Sequence, residues 1–339
     1  MINRKDLFKN VKKIVIKIGT SLITTSNCIF NEKYLENISS QITKIISSEK
    51  EVILVTSGAV GSGLLKLNIK HKPKNIPVIQ AIAAVGQTQL MNIYEKFFKE
   101  QGLIVGQVLL TSEDFTNRTR YLNAMNTIFS LLKLKVIPII NENDAVAIDE
   151  IKFGDNDNLS AQVANLIEAD LLVILTDVDG LYDNNPHKSK NVQIIKEVKK
   201  IDDEIKSFAG GSHSLTGKGG MITKLQAAKI VTESGIAMII ANGQEENIIL
   251  KILSGEKKGT LFLPKEDKLT SRKKWIAFTL PSQGKLLIDK GAEKAIKNEG
   301  KSLLSSGIID IQGTFFIGEK VDIADSFGKS FGCGIVNYN

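Results

Sequence analysis

Apolar positions along the chain fall into two alternating kinds of stretch. Short, nearly uninterrupted runs at 11–18, 52–55, 103–110, 136–140, 171–175 and 236–240 read as strands, those at 11–18 and 136–140 as buried ones. Between them lie stretches whose apolar residues recur at helical spacing. In 31–49 these are Tyr34, Ile38, Ile42, Ile45 and Ile46, and 77–99, 123–132, 159–168 and 225–234 follow the same rule. Strands without polar alternation are covered on both faces, so the pattern predicts a three-layer α/β/α sandwich whose sheet is parallel at least in its core, with 236–240 its last strand.

The pattern changes beyond residue 263. A charged stretch at 264–274 reads as a linker, and 275–339 carries short apolar segments broken by Gly, at 285–288, 308–311, 321–323 and 331–336, with one helical stretch near 292–298. The expectation is a large α/β domain over 1–263 and a small, mostly β module over 275–339.

Polar residues are concentrated where the large domain's strands end. Residues 140–160 follow a strand and hold Asn-Glu-Asn-Asp at 141–144 and Asp-Asn-Asp-Asn at 155–158, the second running into a helix. Open α/β sheets bind ligands at strand ends. Carboxylates hold an ammonium and amides hold a carboxylate without adding full charge, so the stretch suits a small zwitterion such as an amino acid. Two Asx-rich turns would be the plainer reading. Lys17 closes the first strand just before Gly-Thr-Ser at 19–21, where an ammonium in an apolar run asks for an anion; a snorkelling lysine explains that residue taken alone. Ser57 lies in the small-residue turn after the second strand, and Gly219-Gly220 opens a helix, both suited to backbone contact with an anion. Gly217-Lys218 lacks the upstream Gly and the Ser/Thr of a P-loop, and 58–63 does not fit a dinucleotide fingerprint.

Composition narrows the function classes. The 339 residues are 42% hydrophobic and 24% charged, ordinary for a soluble globular protein. The start has no apolar signal region and no run reaches the length of a membrane span, so cytoplasm is the expected location. Cys28 and Cys333 lie at opposite ends of the chain, and His71, His187 and His213 show no ligand spacing, so neither a disulfide framework nor a zinc site is expected. The net charge of +7 is spread over scattered lysines, which fits a solvated surface better than a nucleic-acid footprint.

Taken together, the segments 15–21, 56–59, 141–146, 154–160, Thr176-Asp177 with Gly180-Leu181-Tyr182, and 219–224 resemble the amino acid kinase family, in order and over almost the whole chain. The clusters at 141–146 and 154–160 resemble the branch that phosphorylates the side-chain carboxylate of L-glutamate, and the C-terminal module is similar to a PUA domain. The resemblance implies ATP as phosphoryl donor, with Mg2+ held mainly by its phosphates rather than by a protein metal site. It implies that Lys17 and Lys224 contact the transferring phosphoryl group and that Asp157 orients both. Ser57, Asp144 and Asn156 would hold glutamate. Lys17, Thr176, Asp177, Lys218, Gly219, Gly220, Met221, Ile222, Thr223 and Lys224 would bind the nucleotide. Lys218 replaces a Thr usual in the family, adding a cation near ATP. The resemblance also implies a homo-oligomer and feedback inhibition by proline. The module ends earlier than a full PUA domain, so its last strands are expected to be missing and its expected RNA role is weak. The competing readings are a sibling kinase acting on N-acetylglutamate or carbamate, and an RNA-binding protein for which the kinase fold is only a scaffold.

Overall fold

A computed structural model describes residues 3–24, 30–147, 156–184, 192–209, 220–265, 276 and 280–337. The chain divides into two compact units, Met1–Leu269 and Thr270–Asn339.

The large unit is built on an eight-stranded sheet in the order β3-β4-β2-β1-β5-β7-β8-β6. The strands are β1 (Lys13–Ile18), β2 (Glu51–Val55), β3 (Ile104–Leu110), β4 (Val136–Glu142), β5 (Leu171–Thr176), β6 (Glu197–Val198), β7 (Ala237–Asn242) and β8 (Thr260–Phe262). All pairings are parallel except β7 with β8. The sequence therefore placed the end of the sheet too early. The strand at 236–240 is followed by β8, with β6 beyond it at the sheet edge. Strands of two and three residues are too short for any periodicity to register.

The helices are α1 (Arg4–Lys9), α2 (Thr20–Ile23), α3 (Glu32–Ser47), α4 (Ala59–Lys66), α5 (Ile76–Glu100), α6 (Ser112–Thr116), α7 (Arg118–Lys133), α8 (Asn156–Leu166), α9 (Asp203–Ala209), α10 (Met221–Glu233) and α11 (Ile248–Leu253). Successive residues of β1 face opposite sides of the sheet. Ile14, Ile16 and Ile18 join the cluster formed with Ile38 and Ile42 of α3, Leu90 and Tyr94 of α5, and Ile248 of α11. That parity sends Lys17 to the other face, where α8 and α10 pack together. Ten of the eleven residues of α8 are buried, so it runs through the interior rather than along a surface.

A close helix contact braces the turn after β2. A Cβ on Gly63 would lie 1.9 Å from the Ile82 carbonyl oxygen, and one on Gly86 would lie 1.7 Å from that of Ala59. Backbone therefore touches backbone between α4 and α5, which only glycine permits here.

The small unit has a four-stranded sheet in the order β10-β9-β11-β12, from β9 (Ser282–Ile288), β10 (Ile308–Gly313), β11 (Lys320–Ala324) and β12 (Ser330–Ile335). Its helix is Lys290–Glu299, with Asp289 accepting the Ala292 N–H as N-cap. A mostly β unit with a helix over 290–299 is what the Gly-broken apolar segments predicted.

Candidate active site

Two strands and two helix starts converge at the C-terminal edge of the large sheet. Lys17, next to last in β1, extends Nζ to 2.7 Å from Asp157 Oδ1. Asp157 is the second residue of α8 and is fully buried. Its other oxygen, Oδ2, lies 3.0 Å from Lys224 Nζ in the first turn of α10 and accepts the Thr223 hydroxyl at 3.0 Å. Both lysines are only 5% exposed.

Two ammonium groups thus share one carboxylate in a place nearly closed to water. Lys224 also stands at the positive end of the α10 dipole, where a cation is unfavourable and an anion is welcome. The cluster is thus built to receive an anion.

Asn156, the residue before Asp157, forms the neighbouring group. Its Nδ2 donates to Asn141 Oδ1 at 2.8 Å, to Ser57 Oγ at 3.0 Å and to the Thr56 carbonyl. Asn141 sits in β4, where its Oδ1 also accepts the Glu142 N–H at 2.9 Å. Its Nδ2 is buried and has no hydrogen-bond partner among the described residues. The Thr56 hydroxyl meets the Tyr94 phenol at 2.8 Å, and burial pushes the Tyr94 pKa up, so this anchor stays neutral. Asp144 follows β4 by two residues and is half-buried in a turn. Neutral amide and hydroxyl groups therefore lie one peptide away from the charged cluster.

The third group follows β5. Thr176 closes that strand; its carbonyl accepts the Gly243 N–H at 2.8 Å, and its hydroxyl donates to Asp177 Oδ1 at 3.1 Å. The Gly19 N–H donates to the Leu175 carbonyl at 3.0 Å, tying the ends of β1 and β5 together. A cavity of about 470 Å³ opens beside these strand ends, lined by Asp179, Lys196, Asn242, Glu245 and Lys258 among others. Gly220 is the N-cap of α10, Met221 is half-buried and Ile222 is half exposed. Lys218 and Gly219, together with Gly154 and Asp155 of the acidic stretch, lie outside the described residues.

A sequence model of the amino acid kinase family matches residues 12–242, which include Lys17, Ser57, Asn156, Asp157, Thr176 and Lys224. The chain belongs to the amino acid kinase family. A model of the PUA domain matches residues 284–339. Among curated relatives, the glutamate 5-kinase of Thermoanaerobacter sp. (strain X514) is 51% identical, over 96% of this chain and 88% of its own. The glutamate 5-kinase of Caldanaerobacter subterraneus subsp. tengcongensis is 50% identical over the same shares, and that of Syntrophus aciditrophicus is 48% identical over 99% and 87%. Solved structures share the fold at low identity. A carbamate kinase from Giardia lamblia superposes with a TM-score of 0.55 at 19% identity, covering 76% of this chain and 99% of its own. An isopentenyl phosphate kinase gives 0.54, also at 19% identity, covering 74% and 99%.

Within the amino acid kinase frame, sequence reasoning had named Lys17, Asp157 and Lys224, and the structure brings these three together. It had likewise named Ser57 and Asn156, which are hydrogen-bonded. It placed Asn141 in the amino-acid-binding cluster without an individual role, and it assigned none to Tyr94. The position of Asn141 at the close of a buried strand was a usable signal. Tyr94 carried none, because a tyrosine on an apolar helix face looks like any core residue.

Proposed function

We propose that the chain is a glutamate 5-kinase that transfers the γ-phosphoryl group of ATP to the side-chain carboxylate of L-glutamate. The observation that carries this reading is the buried Lys17–Asp157–Lys224 cluster, joined by one peptide bond to the Asn156 amide.

A glutamate carboxylate oxygen attacks the γ-phosphorus and forms the new P–O bond. The bond to the bridging β,γ-oxygen breaks, and its electron pair leaves with ADP. A carboxylate is already ionised at neutral pH, so no general base is needed. The protein's task is to bring two anions together and to match charge on the equatorial oxygens. Lys17 and Lys224 supply that charge, and Asp157 fixes the spacing between them. Ser57, Asn156 and Asp144 hold glutamate, Asp144 by facing its ammonium group. Thr176, Asp177 and the 218–224 loop hold the nucleotide. Both Asp157 oxygens face lysines, and among the described residues no set of three His, Cys, Asp or Glu side chains gathers to bind a metal. Magnesium, in this reading, is held by the phosphates, where it neutralises charge. The same reading extends to a place in proline biosynthesis, with proline as feedback inhibitor of a homo-oligomer in the cytoplasm. The large domain, linker and PUA-like module at 1–263, 264–274 and 275–339 remain our division of the chain.

Trapping the acyl phosphate with hydroxylamine tests the proposal. With ATP and magnesium, L-glutamate should give hydroxamate, and N-acetylglutamate and carbamate should not. Equal rates with N-acetylglutamate would overturn it.

A further inference from the structure

A second basic site lies on the opposite edge of the same sheet. Because β8 runs antiparallel to β7, with Met238 beside Phe262, the end of β8 reaches the N-terminal edge of the sheet, away from Lys17 and Thr176. There a cavity of about 240 Å³ is ringed by Lys199, Lys200, Lys229 and Lys265, over a floor that includes Val198 and Phe262. Glu233 is its acidic wall and is already paired with Lys265 at 3.6 Å.

Helix capping does not account for these lysines. Cations often gather at a helix C-terminus to meet its last carbonyls. At the end of α10 two of those carbonyls are already taken. The Val231 oxygen accepts from Ser234 and Ile236, and the Thr232 oxygen accepts from Gly235 and from the main-chain N–H of Lys265. Like charges held around one concavity repel each other, and an anion shared between them removes that cost.

We propose that this pocket binds a small inorganic polyphosphate, a diphosphate or triphosphate. Ammonium groups from separate elements can share the several oxygens of such a chain. A single-stranded nucleic acid is the weaker match, because such strands are held by stacking on exposed aromatic rings. Phe262, the aromatic side chain lining the cavity, is fully buried.

The test is titration calorimetry of the full chain with inorganic triphosphate at low ionic strength. The kinase site is first filled with a non-hydrolysable ATP analogue, so that the probe reports only a second site. Saturable one-to-one binding is expected, weakened by added salt. Lys199→Ala with Lys229→Ala should weaken it by at least about tenfold, and Lys199→Arg with Lys229→Arg should keep it within a few-fold. These side chains are exposed, and unchanged hydroxamate formation verifies that the variants are folded. No binding, equal binding by the alanine variant, or tighter binding of a single-stranded RNA oligonucleotide than of triphosphate would each overturn the proposal.

Discussion

Lys224 Nζ lies 3.0 Å from Asp157 Oδ2, joining the first turns of two helices whose residues are 67 apart in the chain. The bond is buried at both ends, and Lys17 reaches the other oxygen of the same carboxylate at 2.7 Å. Removing Asp157 would take from both lysines the buried carboxylate they share. Breaking a buried pair from one side costs about 3–5 kcal/mol.

Asp157→Asn should therefore lower both stability and turnover. We expect kcat to fall by on the order of 10²–10³, the scale for losing one preorganised electrostatic element. Adding Lys224→Met to Asp157→Asn should recover stability without recovering activity, because it removes one of the two cations that shared the lost carboxylate. Urea unfolding of the single and double variants, read beside kcat, checks this. A double variant less stable than Asp157→Asn would contradict the charge argument.

Asn156→Ala and Asp144→Ala address glutamate rather than ATP. Binding lost equally in ground and transition states appears in KM. The glutamate KM should rise by at least about tenfold, the worth of one good polar contact, with the ATP KM within a few-fold. A larger rise in the ATP KM would move these residues to the nucleotide side.

Two glycines of the α4–α5 pair should respond with opposite signs. Gly86→Ala places a methyl 1.7 Å from the Ala59 carbonyl oxygen, and the rigid backbone contact must open. The loss should be about 1–3 kcal/mol or more. Gly61, inside α4, has nothing within 4 Å of an added Cβ, so Gly61→Ala should gain up to about 1 kcal/mol of helix propensity. Thermal unfolding of the two variants separates the cases, and a common direction of shift would show the helices to be less tightly apposed.

Glu245 supplies a pH-dependent prediction. Hydrogen bonds from Lys251 and then Lys258 hold its carboxyl below the ordinary 4.5. A group whose folded pKa is depressed contributes stability above its unfolded pKa and loses it as pH falls through the folded value. Glu245→Gln should thus cost no more than about 1 kcal/mol at neutral pH, the limit for a partly exposed pair. The difference from the unaltered protein should vanish in acid below that folded pKa. Denaturant curves at the two pH values decide it, and a difference that persists or grows in acid would refute the pairing.

Much of this architecture was legible in the chain. Apolar runs covered on both sides announced a parallel sheet, and β1, β2, β4, β5 and β7 lie where those runs are. Period-two alternation fixed that Lys17 faces away from Ile14, Ile16 and Ile18. What no window of sequence could hold was the meeting itself. Lys17, Asp157 and Lys224 come from a strand and two helix starts, and only packing α8 against α10 over β1 joins two cations to one carboxylate. The same limit hid β6 and β8, which are too short to show a period, and the lysines around Phe262, drawn from separate elements. Local pattern records which face of an element is apolar. Which charges then share a closed space depends on contacts between distant segments, and there low dielectric turns ordinary lysines into a site.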